Sequence, residues 1–166
     1  MEAKKSYTSS LIILTTLFFM WGFLTCMNDI LIPYLKEIFV LKYWQAMLIQ
    51  FCFFGAYFIG SSIYYLMSLK IGDPINRIGY KNGIIIGLVV SGIGCLLFYP
   101  AANSGSYSLM LAGLFTVGLG FSLQQTVANP LAIALGPIKT GSQRLTLAGG
   151  INNFGTTIGP LIVSFA

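Results

Sequence analysis

Twelve of the 13 charged side chains in this chain fall in short gaps between apolar runs, and this spacing constrains the fold more than any other feature. The gap residues are Glu2, Lys4, Lys5, then Lys36, Glu37, Lys42, then Lys70, Asp73, Arg77, Lys81, and finally Lys139 and Arg144. A hydrocarbon slab of about 30 Å needs roughly 20 apolar residues per crossing. Lipid also leaves backbone polar groups no outside partner, so each run must satisfy its own as a helix. The sequence therefore predicts an all-α polytopic membrane bundle of five transmembrane helices at about 11–35, 45–69, 82–101, 107–135 and 145–166, after an N-terminal segment of residues 1–10. Only 8% of residues are charged and 56% are hydrophobic, against about 25% charged in a soluble domain.

Orientation follows from the basic residues. With the amino terminus inside, the inner segments carry Lys4, Lys5, Lys70, Arg77, Lys81, Lys139 and Arg144, and the outer ones only Lys36 and Lys42. That asymmetry is the positive-inside pattern, and predicts a cytoplasmic N-terminus for an integral membrane protein. The net charge of +5 thus reflects orientation and calls for no nucleic acid. The first run is too long for the roughly 7–15-residue core of a secretory signal, and no small-x-small cleavage site closes it. Cys26, Cys52 and Cys95 lie inside predicted helices without a CxxC or a His, since the chain has no His. They read as packing residues rather than metal ligands. No Walker sequence, Ser-Lys pair or carboxylate pair at membrane depth supplies the parts of an enzyme or an ATP-driven pump.

The exception among the charges is Asp29, inside "FMWGFLTCMNDILIPYL". A charge near the middle of a membrane helix costs about 2.5–3.5 kcal/mol on insertion scales, so such residues face protein or water and mark function. Asn28 and Asp29 follow Thr25 and Trp21 at helical offsets. Low dielectric disfavours the charged carboxylate, which suits Asp29 to exchanging a proton during transport. The coupling cation is a proton or sodium, and no other cofactor is expected. In "GFSLQQTVANPLAIALGP", Gly118, Ser122, Gln125 and Asn129 form a stripe with Gln124 beside it, and "LAGGINNFGTTIGP" brings Asn152 and Thr156 one turn apart. Carboxamides both donate and accept hydrogen bonds, as a polyhydroxylated neutral ligand requires. Asn28, Gln124, Gln125, Asn129 and Asn152 are therefore the candidate substrate-binding residues. Their bland alternative is to tie helices together, as Gly149, Gly150, Gly155 and Gly159 would by close packing. Trp21 or Phe121 could cover an apolar ligand face, and Pro130 and Pro160 could kink their helices.

Between the second and third runs, "GDPINRIGYKNG" combines turn-forming glycines with basic residues held at the membrane surface. The order Gly72-x-x-x-Asn76-Arg77-x-Gly79-Tyr80-Lys81 resembles the G-x-x-x-D-R-x-G-R-K signature of the major facilitator superfamily, with Asn76 in place of the acid and Tyr80 in place of an Arg. With "NDILIPYL", "IGYKNGIIIGL", "QQTVANPLAIALGP" and "LTLAGGINNFGTTIGP" in order, the chain resembles the fucose:proton symporter family, in particular its bacterial glucose/galactose branch, over essentially its whole length. The resemblance implies a twelve-helix transporter of two six-helix halves, a sugar bound near the midplane and alternating access. This chain would be the first half without its sixth helix, requiring a missing C-terminal half as its partner. Gly72, Asn76, Arg77, Gly79 and Lys81 would form a cytoplasmic gating loop. The first-helix acid of the family falls on Asp29 and its fifth-helix asparagine on Asn152, but its fourth-helix acid falls on Gln125, so Asp29 alone would carry coupling.

The expected function is hexose uptake by cation symport. Two alternatives stand beside it: an efflux antiporter of the same superfamily, prompted by Gly155-x-x-x-Gly159-Pro160, and a truncated, non-transporting membrane protein.

Overall fold

The computed structural model describes residues 7–165; Glu2, Lys4, Lys5 and Ala166 lie outside them. The five apolar runs are five long helices: α1 (Thr8–Ile38), α2 (Tyr43–Ile71), α4 (Tyr80–Ser104), α5 (Tyr107–Ala134) and α6 (Gly141–Ser164). A short α3 (Pro74–Ile78) lies between α2 and α4, and a 3-10 turn (Ile138–Thr140) leads into α6. No strand occurs among the described residues. The first four long helices, α1, α2, α4 and α5, are long and apolar enough to cross a membrane.

Most long helices run beyond the expected apolar limits. At ~1.5 Å per residue the 31 residues of α1 extend about 46 Å, well past a hydrocarbon core of about 30 Å. Lys36 and Glu37 thus belong to the last turn of α1, and only four residues, Phe39–Lys42, join it to α2. Gln45 starts α2 by accepting from the Lys42 backbone N–H at 2.9 Å. Pro33, Pro100, Pro130 and Pro160 all lie inside helices.

The turn after α2 holds a surprise of local chemistry. Gly72 and Gly79 have φ of +79° and +81°, a region that glycine enters without the penalty of a Cβ. Between them Asp73 accepts from the Ile75 N–H at 3.0 Å and Pro74 occupies the first helical position, so an N-cap and a proline nucleate α3 where the sequence reads as a plain tight turn.

The chain divides into two compact units. One comprises residues up to Ile30 together with Ala128 onwards, so it holds most of α1, the end of α5 and all of α6. Here helix packing depends on glycines. A Cβ at Gly22 would lie 2.0 Å from the Asn152 carbonyl oxygen, and one at Gly155 2.4 Å from that of Phe19. Backbone therefore meets backbone, the small-residue packing that joins helices where lipid supplies no hydrophobic drive. Phe19 and Phe154 meet at the flank of this seam, with ring centroids 6.3 Å apart.

The second unit, Leu31–Val127, holds the end of α1 with α2, α3, α4 and most of α5. Gly87, Ser91 and Gly94 are buried along α4 at helical spacing. Cβ atoms at Gly87 and Gly94 would lie 2.9 Å from the Gly120 and Gly113 carbonyl oxygens of α5. On the other side of α5, Gly118 lies against Phe53 and Ala56 of α2. Leu41, Ile49, Ala101, Met110 and Leu114 form a buried cluster, and the Tyr107 hydroxyl donates to the Gln45 carbonyl at 2.7 Å.

Candidate functional site

In the first unit, Asn28 and Asp29 occupy adjacent positions about 100° apart around α1, and their environments differ accordingly. Asn28 is buried, with 8% of its surface exposed, whereas Asp29 is exposed on this chain. The Nδ2 of Asn28 has no hydrogen-bond partner among the described residues. A buried amide donor left unsatisfied costs about 1–3 kcal/mol, so such a group in a native protein calls for a partner.

Asn152, half-buried on α6, donates from Nδ2 to the Phe18 carbonyl of α1 at 2.8 Å. It thereby combines the two roles that the sequence left open, an amide at membrane depth and a tie between helices. Asn129, near the end of α5, is exposed. Trp21 is buried to 1% exposure and packs on Phe18 at 4.8 Å between ring centroids.

Within the second unit the expected stripe on α5 is split. Its first half serves packing: Ser122 is buried, within 3.1 Å of Ser61 Oγ and 3.2 Å of the Tyr57 carbonyl. Gln124 is fully buried and donates to Ser91 Oγ of α4 at 3.0 Å. Phe121 is also buried, edge-on to Phe53. Gln125, one residue on, is half-buried. In the loop, Gly72, Asn76, Arg77, Gly79 and Lys81 are all exposed, and the Tyr64 hydroxyl of α2 donates to the Asp73 carboxylate.

Two residues escaped the sequence reading. Arg144 looks like one more inner-side charge, and the apolar run seemed to begin after it. The helix starts at Gly141 instead, so Arg144 lies within its first turn. Its guanidinium donates to the Ala132, Ile133 and Pro137 carbonyls and to Thr140 Oγ1, capping the end of α5. The Ala132 and Ile133 carbonyls are among those a helix leaves without intrahelical partners at its C-terminus. Ser91, a lone hydroxyl among apolar residues, pairs with Gln124; its i+4 spacing from Gly87 was the available signal.

No protein-family model matches the chain. Curated proteins do match along nearly all of it. A glucose/galactose transporter of Brucella abortus biovar 1 (strain 9-941) is 51% identical over 160 residues, which are 96% of this chain and 37% of that protein. A putative glucose/galactose transporter of Helicobacter pylori (strain ATCC 700392 / 26695) is 47% identical over 97% of this chain and 38% of its own length. The L-fucose-proton symporter of Escherichia coli (strain K12) is 39% identical over 93% of this chain and 34% of its own. The chain thus spans a little over a third of the length of the curated relatives it matches. The crystal structure of the Escherichia coli fucose:proton symporter superposes with a TM-score of 0.75 at 36% identity, covering 96% of this chain and 36% of that one.

Helices and match together define an integral membrane protein with the fold of the N-terminal half of a major facilitator transporter. Within that superfamily the chain is similar in sequence to bacterial glucose/galactose transporters and L-fucose–proton symporters.

Proposed function

We propose that this chain carries the N-terminal half of a secondary active transporter that takes a hexose across the bacterial inner membrane with a cation, a proton in our reading, by alternating access. The observation that carries the site is Asn28. Its buried amide donor without a partner stands next to the one acid inside the apolar part of α1. A sugar hydroxyl or ring oxygen supplies the neutral acceptor that such a donor needs.

In this reading Asp29 carries the coupled proton. It takes one up from outside and is neutral while sugar is carried inward, and it releases that proton to the cytoplasm with the sugar before the empty carrier resets. Asn152 offers its amide while fixed by Phe18, and Asn129 of the same unit adds a further amide for hydroxyls. Gln124 acts differently from the first expectation. Buried and bonded to Ser91, it holds α5 against α4 in this reading. Gly72, Asn76, Arg77, Gly79 and Lys81 form the loop that shifts as access alternates, with the N-terminus on the cytoplasmic side. The rest of the transporter is the partner the chain requires. Efflux gains nothing from Gly155 and Gly159, because both are used in packing on α1.

The test is uptake of labelled glucose, galactose and L-fucose into membrane vesicles from cells expressing the gene, with and without an imposed inward proton or sodium gradient. Uptake that rises with the proton gradient, and loses that response in Asp29→Asn, supports the reading. Absence of sugar uptake overturns the substrate, and a response to sodium alone overturns the proton.

A further inference from the structure

A cavity of about 320 Å³ lies within the second unit, walled by Ile63 and Met67 of α2, Ile75 and Ile78 of α3, Ile86 of α4 and Leu119 of α5. Its size is in the range of small-molecule pockets, roughly 300–1,000 Å³. Its walls are almost wholly aliphatic side chains and glycine, which offer nothing to a sugar. The wall residues on α5 run from Leu119 to Val127, about 12 Å along the axis at ~1.5 Å per residue. The shape is therefore longer than a single side chain needs.

Basic residues alternate with the wall residues at one end. Arg77 lies between Ile75 and Ile78, Lys81 between Gly79 and Gly83, and Lys70 one turn after Met67; all three are exposed. The acid in this stretch, Asp73, accepts from Tyr64 and from the Ile75 N–H. An apolar slot whose wall segments also carry three exposed cations matches one kind of molecule in charge and in polarity. We propose that this cavity is a specific site for an anionic phospholipid, with an acyl chain among Ile63, Ile86 and Leu119 and the phosphate against Lys70, Arg77 and Lys81. The bound lipid would brace α3 against α2, α4 and α5. This inference needs only the membrane setting and is independent of the sugar reading.

Native mass spectrometry of the protein purified in mild detergent and supplied with equal phosphatidylglycerol and phosphatidylcholine tests it. The expected result is one retained phosphatidylglycerol per chain in preference to phosphatidylcholine. Each basic side chain near a membrane surface contributes a factor of about five for an anionic lipid, so Arg77→Gln with Lys81→Gln should lower retention about 25-fold. Ile86→Trp should fill the slot and displace the lipid, whereas Leu96→Trp, on the 74% exposed Leu96, should leave it bound and controls for folding. Equal retention of the two lipids, or equal loss in both tryptophan variants, would overturn the proposal. Retention of neither lipid would do so as well.

Discussion

Asp29 and Asn28 show how much one helical step decides. On an ideal helix neighbouring residues point about 100° apart, so one is buried with its amide nitrogen unmatched and the other is exposed on the surface of this chain. If Asn28 donates to sugar, Asn28→Ala removes one neutral hydrogen bond of about 0.5–1.5 kcal/mol, and should raise the KM for uptake by roughly 2- to 13-fold with Asp29 coupling intact. Asp29→Asn should have the complementary effect, keeping exchange of labelled for unlabelled sugar while abolishing accumulation driven by a pH gradient. Both are read in one vesicle assay. Arg144 belongs at this scale too. Two carbonyls at the end of α5 and two acceptors in the connection after it depend on its guanidinium, and hydrogen bonds to a charged group contribute about 1.5–3 kcal/mol. Arg144→Gln should lower the thermal midpoint in detergent, and Arg144→Lys should restore little, because an ammonium lacks the planar fork.

Between elements, close glycine contacts bring helix backbones together alongside the buried apolar cluster. The prediction here is a contrast among glycines of one helix. Gly155→Val should destabilise the packing of α6 on α1 by about 1–3 kcal/mol, since the added atoms would meet the Phe19 backbone, which has nowhere to go. At Gly149 and Gly150 nothing lies within 4 Å of an added Cβ, and Gly149→Ala or Gly150→Ala should be neutral or stabilising by about 0.5–1 kcal/mol. Melting curves of the purified variants distinguish the two classes. A further pair, Gln124 and Ser91, should show a coupling near 0.6 kcal/mol in a double-mutant cycle, typical of hydrogen bonds between membrane helices. Equal losses in all the glycine variants would refute the contact assignment.

For the molecule as a whole, orientation is the property that the charges predict. In a cysteine-free background, Lys42→Cys should react with a membrane-impermeant maleimide added to intact cells, while Ser142→Cys should react only after the membrane is opened. The reverse pattern would invert the topology and place the Gly72–Lys81 loop outside. The chain matches its relatives over only about a third of their length, so sugar uptake is a property to measure in cells expressing the gene.

The apolar runs, the charge-bearing gaps and the order of the motifs determined the helical membrane class and the family resemblance, because lipid permits few backbone solutions and charge avoids the slab. They also singled out Asp29, an acid where the surroundings are apolar. What the sequence could not apportion was the duty of each polar or small residue. Gln124 and Gln125 are the same residue type one step apart, yet one is sealed against Ser91 and the other is half-buried. Gly155 and Gly150 are equally glycine, yet only the former touches a neighbouring backbone. Those assignments depend on which face of a helix meets another helix, and all-round apolar helices carry no pattern that marks the contact face. Tertiary packing alone made that choice, as it did in turning Arg144 from a topogenic charge into the cap of α5.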